Sequence, residues 1–170
     1  MNTKHKPNLA QAKLIQIYAE HYLYSPEEKI SKPDKAKFSK FVHREYTKLK
    51  RLNIQEMRVS GQPYRDAKEL FADFDQNRRI QVSTDFNNPA ILDKEANLKY
   101  RYVHDVHHCL IRSDFSWQGE LRACDYFSSL TDDDTIRRIL RSELVYQAAS
   151  YFYLGDFLDT QKIVLSDPNF

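Results

Sequence analysis

The sequence predicts a mainly α protein: one helical domain spanning residues 1–170, built from about six helices with at most a small β element near residues 79–84. Three observations lead there. Apolar residues recur at three- and four-residue spacing along most of the chain. The breaks between these runs carry helix-capping residues rather than hairpin turns. Only residues 79–84 alternate polar and apolar as a half-buried strand does. A chain of 170 residues can bury one real core and is short for two full domains.

From residue 9 to 24, Leu9, Ala12, Ile15, Ala19 and Leu23 keep helical spacing, and Ser25 with Glu28 reads as a capping box opening a new segment. Over residues 35–52, Phe38, Phe41, Val42, Leu49 and Leu52 form an apolar stripe among Lys37, Lys40, Arg44, Lys48, Lys50 and Arg51. That is an amphipathic helix with a basic outer face. Ser60-Gly61-Gln62-Pro63 breaks the run, helical spacing returns over 64–74, and the strand pattern follows. Helices are then expected over 93–111, 118–130 and 134–154, with Thr131 and Asp134 capping the last.

Charge is uneven. Residues 1–70 hold 15 Lys and Arg against eight acids, a net +7, whereas residues 71–170 hold 11 against 16, a net −5. The domain thus comprises a basic helical part, residues 1–60, and a core, residues 61–170. No apolar run resembles a secretory signal or approaches the ~20 residues that span a bilayer, so a cytoplasmic protein without a transmembrane segment is expected. Two cysteines, Cys109 and Cys124, are too few for a disulfide scaffold, and no fixed-period repeat suggests a solenoid.

The chemistry concentrates in Tyr100-Arg101-Tyr102-Val103-His104-Asp105-Val106-His107-His108. On a helix at ~100° per residue, His108 lies ~40° and Asp105 ~100° from His104, so the three share one arc with His107 beside it. Imidazoles at i and i+4 can grip one divalent ion, zinc above all, and a carboxylate from another element completes a three-ligand site with a position left open. Glu120, at the start of the next helix and next to Gly119, is the natural third ligand. Asp105 could be a fourth ligand, orient an imidazole, or act as general base. Glu143, Gln147 and Tyr151, four residues apart, form a polar stripe on an apolar helix and make Glu143 a second candidate for ligand or base. Taken singly, buried histidines satisfied by hydrogen bonds and a first-turn glutamate are ordinary structural features. Cys124 shares the Glu120 face but reads as a small core residue.

The run His104-Asp105-x-x-His108, eleven residues, then Glu120, with Tyr100-Arg101 and Gly119 in place, resembles the zinc signature of the Coq4 family of ubiquinone biosynthesis. The resemblance implies a helical fold, His104, Asp105, His108 and Glu120 as metal ligands, and removal and oxidation at the first ring carbon of a prenylated quinone precursor. A wider pattern is similar to a group of uncharacterised bacteriophage and bacterial proteins. It comprises Gly61-Gln62-Pro63-Tyr64, Asn97-Leu98, Arg101, the His104-Asp105 motif, Phe115, Gly119-Glu120, Glu143, Gln147, Gly155, Phe157 and Gln161.

The expected function is therefore a metal-dependent enzyme acting on a small molecule, with Asp105 or Glu143 moving a proton. A phosphohydrolase of the HD type would need His43 and Asp125 or Asp156 to join His104-Asp105. The non-enzymatic alternative is a binding module of phage or bacterial origin with a structural metal. Its basic face (Lys37, Lys40, Arg44, Lys48, Arg51) would contact nucleic acid or an acidic partner, with Phe38 and Tyr46 placed to stack on bases.

Overall fold

A computed structural model describes residues 7–156 and 158–169. The protein is mainly α. In chain order the elements are α1 (Leu9–Tyr24), α2 (Lys32–Lys50), β1 (Gln55–Val59), α3 (Ala67–Asn77), β2 (Arg79–Ser83), α4 (Lys94–Ile111), α5 (Trp117–Ser129), α6 (Asp134–Arg141), a π-helical turn (Ser142–Tyr146) and α7 (Gln147–Leu154). The last three follow without a break, so the described residues form six helical rods. No helix among them is long and apolar enough to cross a membrane.

Two compact units divide the chain: Met1–Lys29 with Phe115–Phe170, and Ile30–Asp114. In the first, α1 packs on α7 and the π turn, and α5 packs on α6 and the same turn. Its core is built on Ile15, Ala19, Tyr22, Phe127, Ile139, Leu140 and Tyr146. The C-terminal segment belongs to this unit. Ile163 and Val164 are buried, Lys162 Nζ donates to the Leu23 and Ser25 carbonyls, and Glu28 Oε1 accepts the Leu165 and Ser166 N–H groups at 2.9 and 3.0 Å.

Glu28 is thus a tail clamp, not the end of a capping box. Ser25 ends α1 in extended conformation, the capping box is Asn8 with Gln11, and Ser31 caps α2. A similar correction applies to α6: its N-cap is Asp133, which accepts from Ile136 N–H, while the Thr131 hydroxyl accepts from Asp133 N–H. In both places several short polar residues compete for one helix start, and backbone geometry picks the winner.

In the second unit α2 packs on α4, and α4 on α3 and β2. Phe38, Val42, Ile54, Leu70, Ile80, Val82, Tyr102, Val103 and Val106 fill the core. The strand expected near 79–84 is β2, with Ile80 and Val82 inward. Its partner β1 pairs with it in parallel from Gln55↔Arg79 to Val59↔Ser83, with α3 as the crossover. Asp73 of α3 fastens that crossover, accepting from Tyr64 Oη (2.8 Å), Asn77 Nδ2 (2.7 Å) and Arg79 Nη2 (2.9 Å).

Candidate metal centre

Helix α4 exists because Asp93 caps it, accepting Ala96 N–H at 2.7 Å, and because Ala96, Tyr102, Val103, Val106 and Cys109 give it one continuous apolar face. The histidines sit near its C-terminal end. His104 and His108 turn their ε nitrogens toward each other, 3.0 Å apart. Nδ1 of His108 lies 2.9 Å from the Ser113 carbonyl oxygen. A carbonyl only accepts, so Nδ1 carries the hydrogen and the neutral ring keeps its lone pair on Nε2. Two Nε2 atoms on one tetrahedral zinc, each at ~2.0–2.1 Å, stand about 3.3 Å apart. The observed pair is therefore close to ligand geometry.

The end of α4 sets that tautomer. Arg112 takes the left-handed conformation at φ 51°, unusual for a residue with a Cβ, and so ends the helix as glycine often does. Ser113 N–H then returns to the His108 carbonyl at 2.9 Å. Asp75 of α3 holds Arg112 through a two-pronged contact, Nη1 to Oδ2 at 3.0 Å and Nη2 to Oδ1 at 2.6 Å, while the guanidinium lies over the Phe71 ring. None of Asp75, Arg112 or Ser113 was singled out from sequence. No short motif marks a residue that acts on a ligand through a backbone carbonyl.

Glu120 lies in the first turn of α5, which Ser116 caps by accepting Gly119 N–H at 3.1 Å. His104 and His108 of the second unit, with Glu120 of the first, are the residues that could hold a metal ion. His108 is buried and the other two are half-buried. Two imidazoles and one carboxylate match a donor set used by zinc.

Asp105 is not one of the residues in that group. It lies half-buried in α4, where its charge acts on the Arg101 guanidinium and on the Tyr64 phenol. His107 is a core residue, 1% exposed, and burial, with the neighbouring His104 and His108 adding to it, pushes its pKa down to about 3. Glu143 is the second residue of the π turn, where Gln147 N–H reaches back five residues to the Ser142 carbonyl. Part of the Glu143 residue is accessible, but burial still raises its pKa to about 7, which keeps much of it protonated near neutrality. Cys124 is buried with its thiol pushed up to about 12, as suits a core residue.

The other candidates fall elsewhere. His43 is exposed on α2 with Nδ1 3.4 Å from Lys99 Nζ, and Asp125 and Asp156 are exposed, so none joins the His104 group. Phe38, considered for base stacking, is 1% exposed and belongs to the core, while Tyr46 is half-buried and donates its hydroxyl to Glu56 at 2.5 Å. Phe157 of the wider pattern lies outside the described residues. Compared with known proteins, the chain matches no family model, no curated protein and no solved structure.

Proposed function

We propose that the protein is a metal-dependent enzyme that holds one divalent ion, zinc first, on His104, His108 and Glu120 and acts on a small-molecule substrate. The observation that supports this most is the pair of ε nitrogens 3.0 Å apart, with the His108 ring fixed so that its lone pair faces its neighbour. A histidine ligand needs that orientation, and its other ring nitrogen is almost always held by a carbonyl or carboxylate as here.

Three protein ligands leave a position for substrate or water, and an ion there supplies Lewis acidity toward an oxygen atom. The chain's own part is proton movement. Glu143, with a pKa raised to about 7 by burial, can hold and release a proton near neutral pH, and Asp105 is the alternative carrier on the α4 face. Lyase or hydrolase chemistry suits these parts, and the Coq4-like signature favours a prenylated quinone precursor as substrate. Ferrous iron takes the same two-histidine, one-carboxylate set, so the ion itself is a point to measure.

The test is to strip the protein of metal, refill it with zinc or ferrous iron, and assay phosphoesters and prenylated quinone precursors. Turnover that needs the metal and is lost in Glu120→Gln supports the reading. A protein that binds metal and turns over none of these substrates keeps the site and loses the proposed chemistry.

A further inference from the structure

Helix α2 carries a cationic face that the metal site does not use. Seven Lys and Arg against two acids make it the most basic element of the chain. At ~100° per residue Lys37, Lys40, Arg44, Lys48 and Arg51 fall within an arc of ~80°. They form a stripe about 21 Å long at ~1.5 Å per residue. The buried residues Phe38, Val42 and Leu49 centre on another face of the helix. All five cations are exposed.

The two acids of α2 organise this stripe more than they cancel it. Glu45 is 4% exposed, and its Oε1 accepts from Arg44 Nε at 2.8 Å and Lys48 Nζ at 2.9 Å. Asp34, bound to the Ser31 cap, holds Lys37 at 3.0 Å. Side-chain exposures of 50% for Lys37 and Arg44 and 55% for Lys48 leave these cations in contact with solvent. A buried carboxylate that restrains two long cationic side chains lowers the entropy they lose on meeting an anion.

We propose that this face binds the phosphate backbone of duplex nucleic acid without reading its sequence. A stripe of that length covers about six base-pair steps at ~3.4 Å each. Single-stranded nucleic acid is held largely by stacking on exposed aromatic rings. Phe38 and Phe41 are buried in the core, and the exposed large apolar residues of the described chain include none from α2. What the face offers is charge spaced along a line, which is the chemistry of a regular polyanion.

The test is fluorescence anisotropy of the full-length protein with a short labelled duplex of random sequence, repeated between about 50 and 200 mM salt. With five phosphate contacts the logarithm of affinity falls against the logarithm of salt with a slope of about −4.5. Lys40→Gln with Arg51→Gln leaves the Asp34 and Glu45 pairs intact and weakens binding about tenfold or more without changing the circular dichroism spectrum. Failure of polyglutamate to displace the duplex supports the assignment. Four results overturn it: no binding at low salt, affinity unchanged by the double substitution, tighter binding of the matching single strand, or displacement by polyglutamate as effective as by unlabelled duplex.

Discussion

His108 and Ser113 lock each other: the imidazole Nδ1 donates to the Ser113 carbonyl at 2.9 Å, and Ser113 N–H donates to the His108 carbonyl at 2.9 Å. One turn of backbone thereby fixes both where α4 ends and which ring nitrogen faces His104.

This lock depends on Arg112 keeping its left-handed conformation, which Asp75 secures. The Asp75–Arg112 pair is about half exposed on both sides, so solvent screening keeps its direct contribution to stability small. Asp75→Ala should nevertheless lower zinc affinity about tenfold, a common loss when support behind a histidine ligand is removed. Adding Arg112→Gly should restore the affinity, because glycine adopts that conformation unaided. Competition titrations with a zinc indicator compare the variants, and a double mutant as weak as Asp75→Ala would refute the backbone route.

Asp73 predicts how the second unit responds to acid. Burial alone would raise its pKa, but hydrogen bonds from Arg79, Asn77, Tyr64 and Gln81 outweigh burial and hold it at about 2. A carboxyl depressed in the folded state stabilises the fold above its unfolded pKa, near 3.9, and that stability is lost as pH falls toward 2. About 2 kcal/mol should disappear across this window. Asp73→Asn should lower stability at neutral pH and flatten the pH 4-to-2 decline. Urea titrations at several pH values measure both effects, and an unchanged slope in the variant would contradict the assignment.

Phe86 carries a cost in the fold. It is 80% exposed and held at φ 50°, where a bulky L-residue is strained. Arg101, one turn before His104, holds the loop by donating to the Ser83, Asp85 and Phe86 carbonyls at 2.8, 2.8 and 2.9 Å. Phe86→Asn keeps those carbonyls and tolerates the conformation, so it should raise stability by about 0.5–1 kcal/mol. A loss of stability in thermal melts would show that the ring makes contacts which outweigh the strain.

Local periodicity made much of this fold legible. The first helix runs over the predicted residues 9–24, and α4 and α5 begin within one residue of their expected starts, because apolar spacing and capping residues agree there. Strand β1 was not legible. Its residues, Gln55-Glu56-Met57-Arg58-Val59, have no fully buried face, so no alternation marks them, and they become a strand by pairing with β2. The π turn was equally silent, since its residues continue the helical pattern of α6. For the site, His104 and His108 declare themselves by i,i+4 spacing. The roles of Arg112 and Ser113 arise from a backbone conformation usually signalled by glycine, and here the residue is arginine.

Elemental analysis by plasma mass spectrometry on purified, tag-free protein, beside a His104→Ala/His108→Ala variant shown to be folded, tests the central claim most directly. The account predicts about one equivalent of a divalent metal in the natural sequence, zinc or iron by name, and none in the variant. No metal in either protein, even after soaking with zinc, manganese and iron, would contradict it and leave His104 and His108 as a hydrogen-bonded pair at the end of α4.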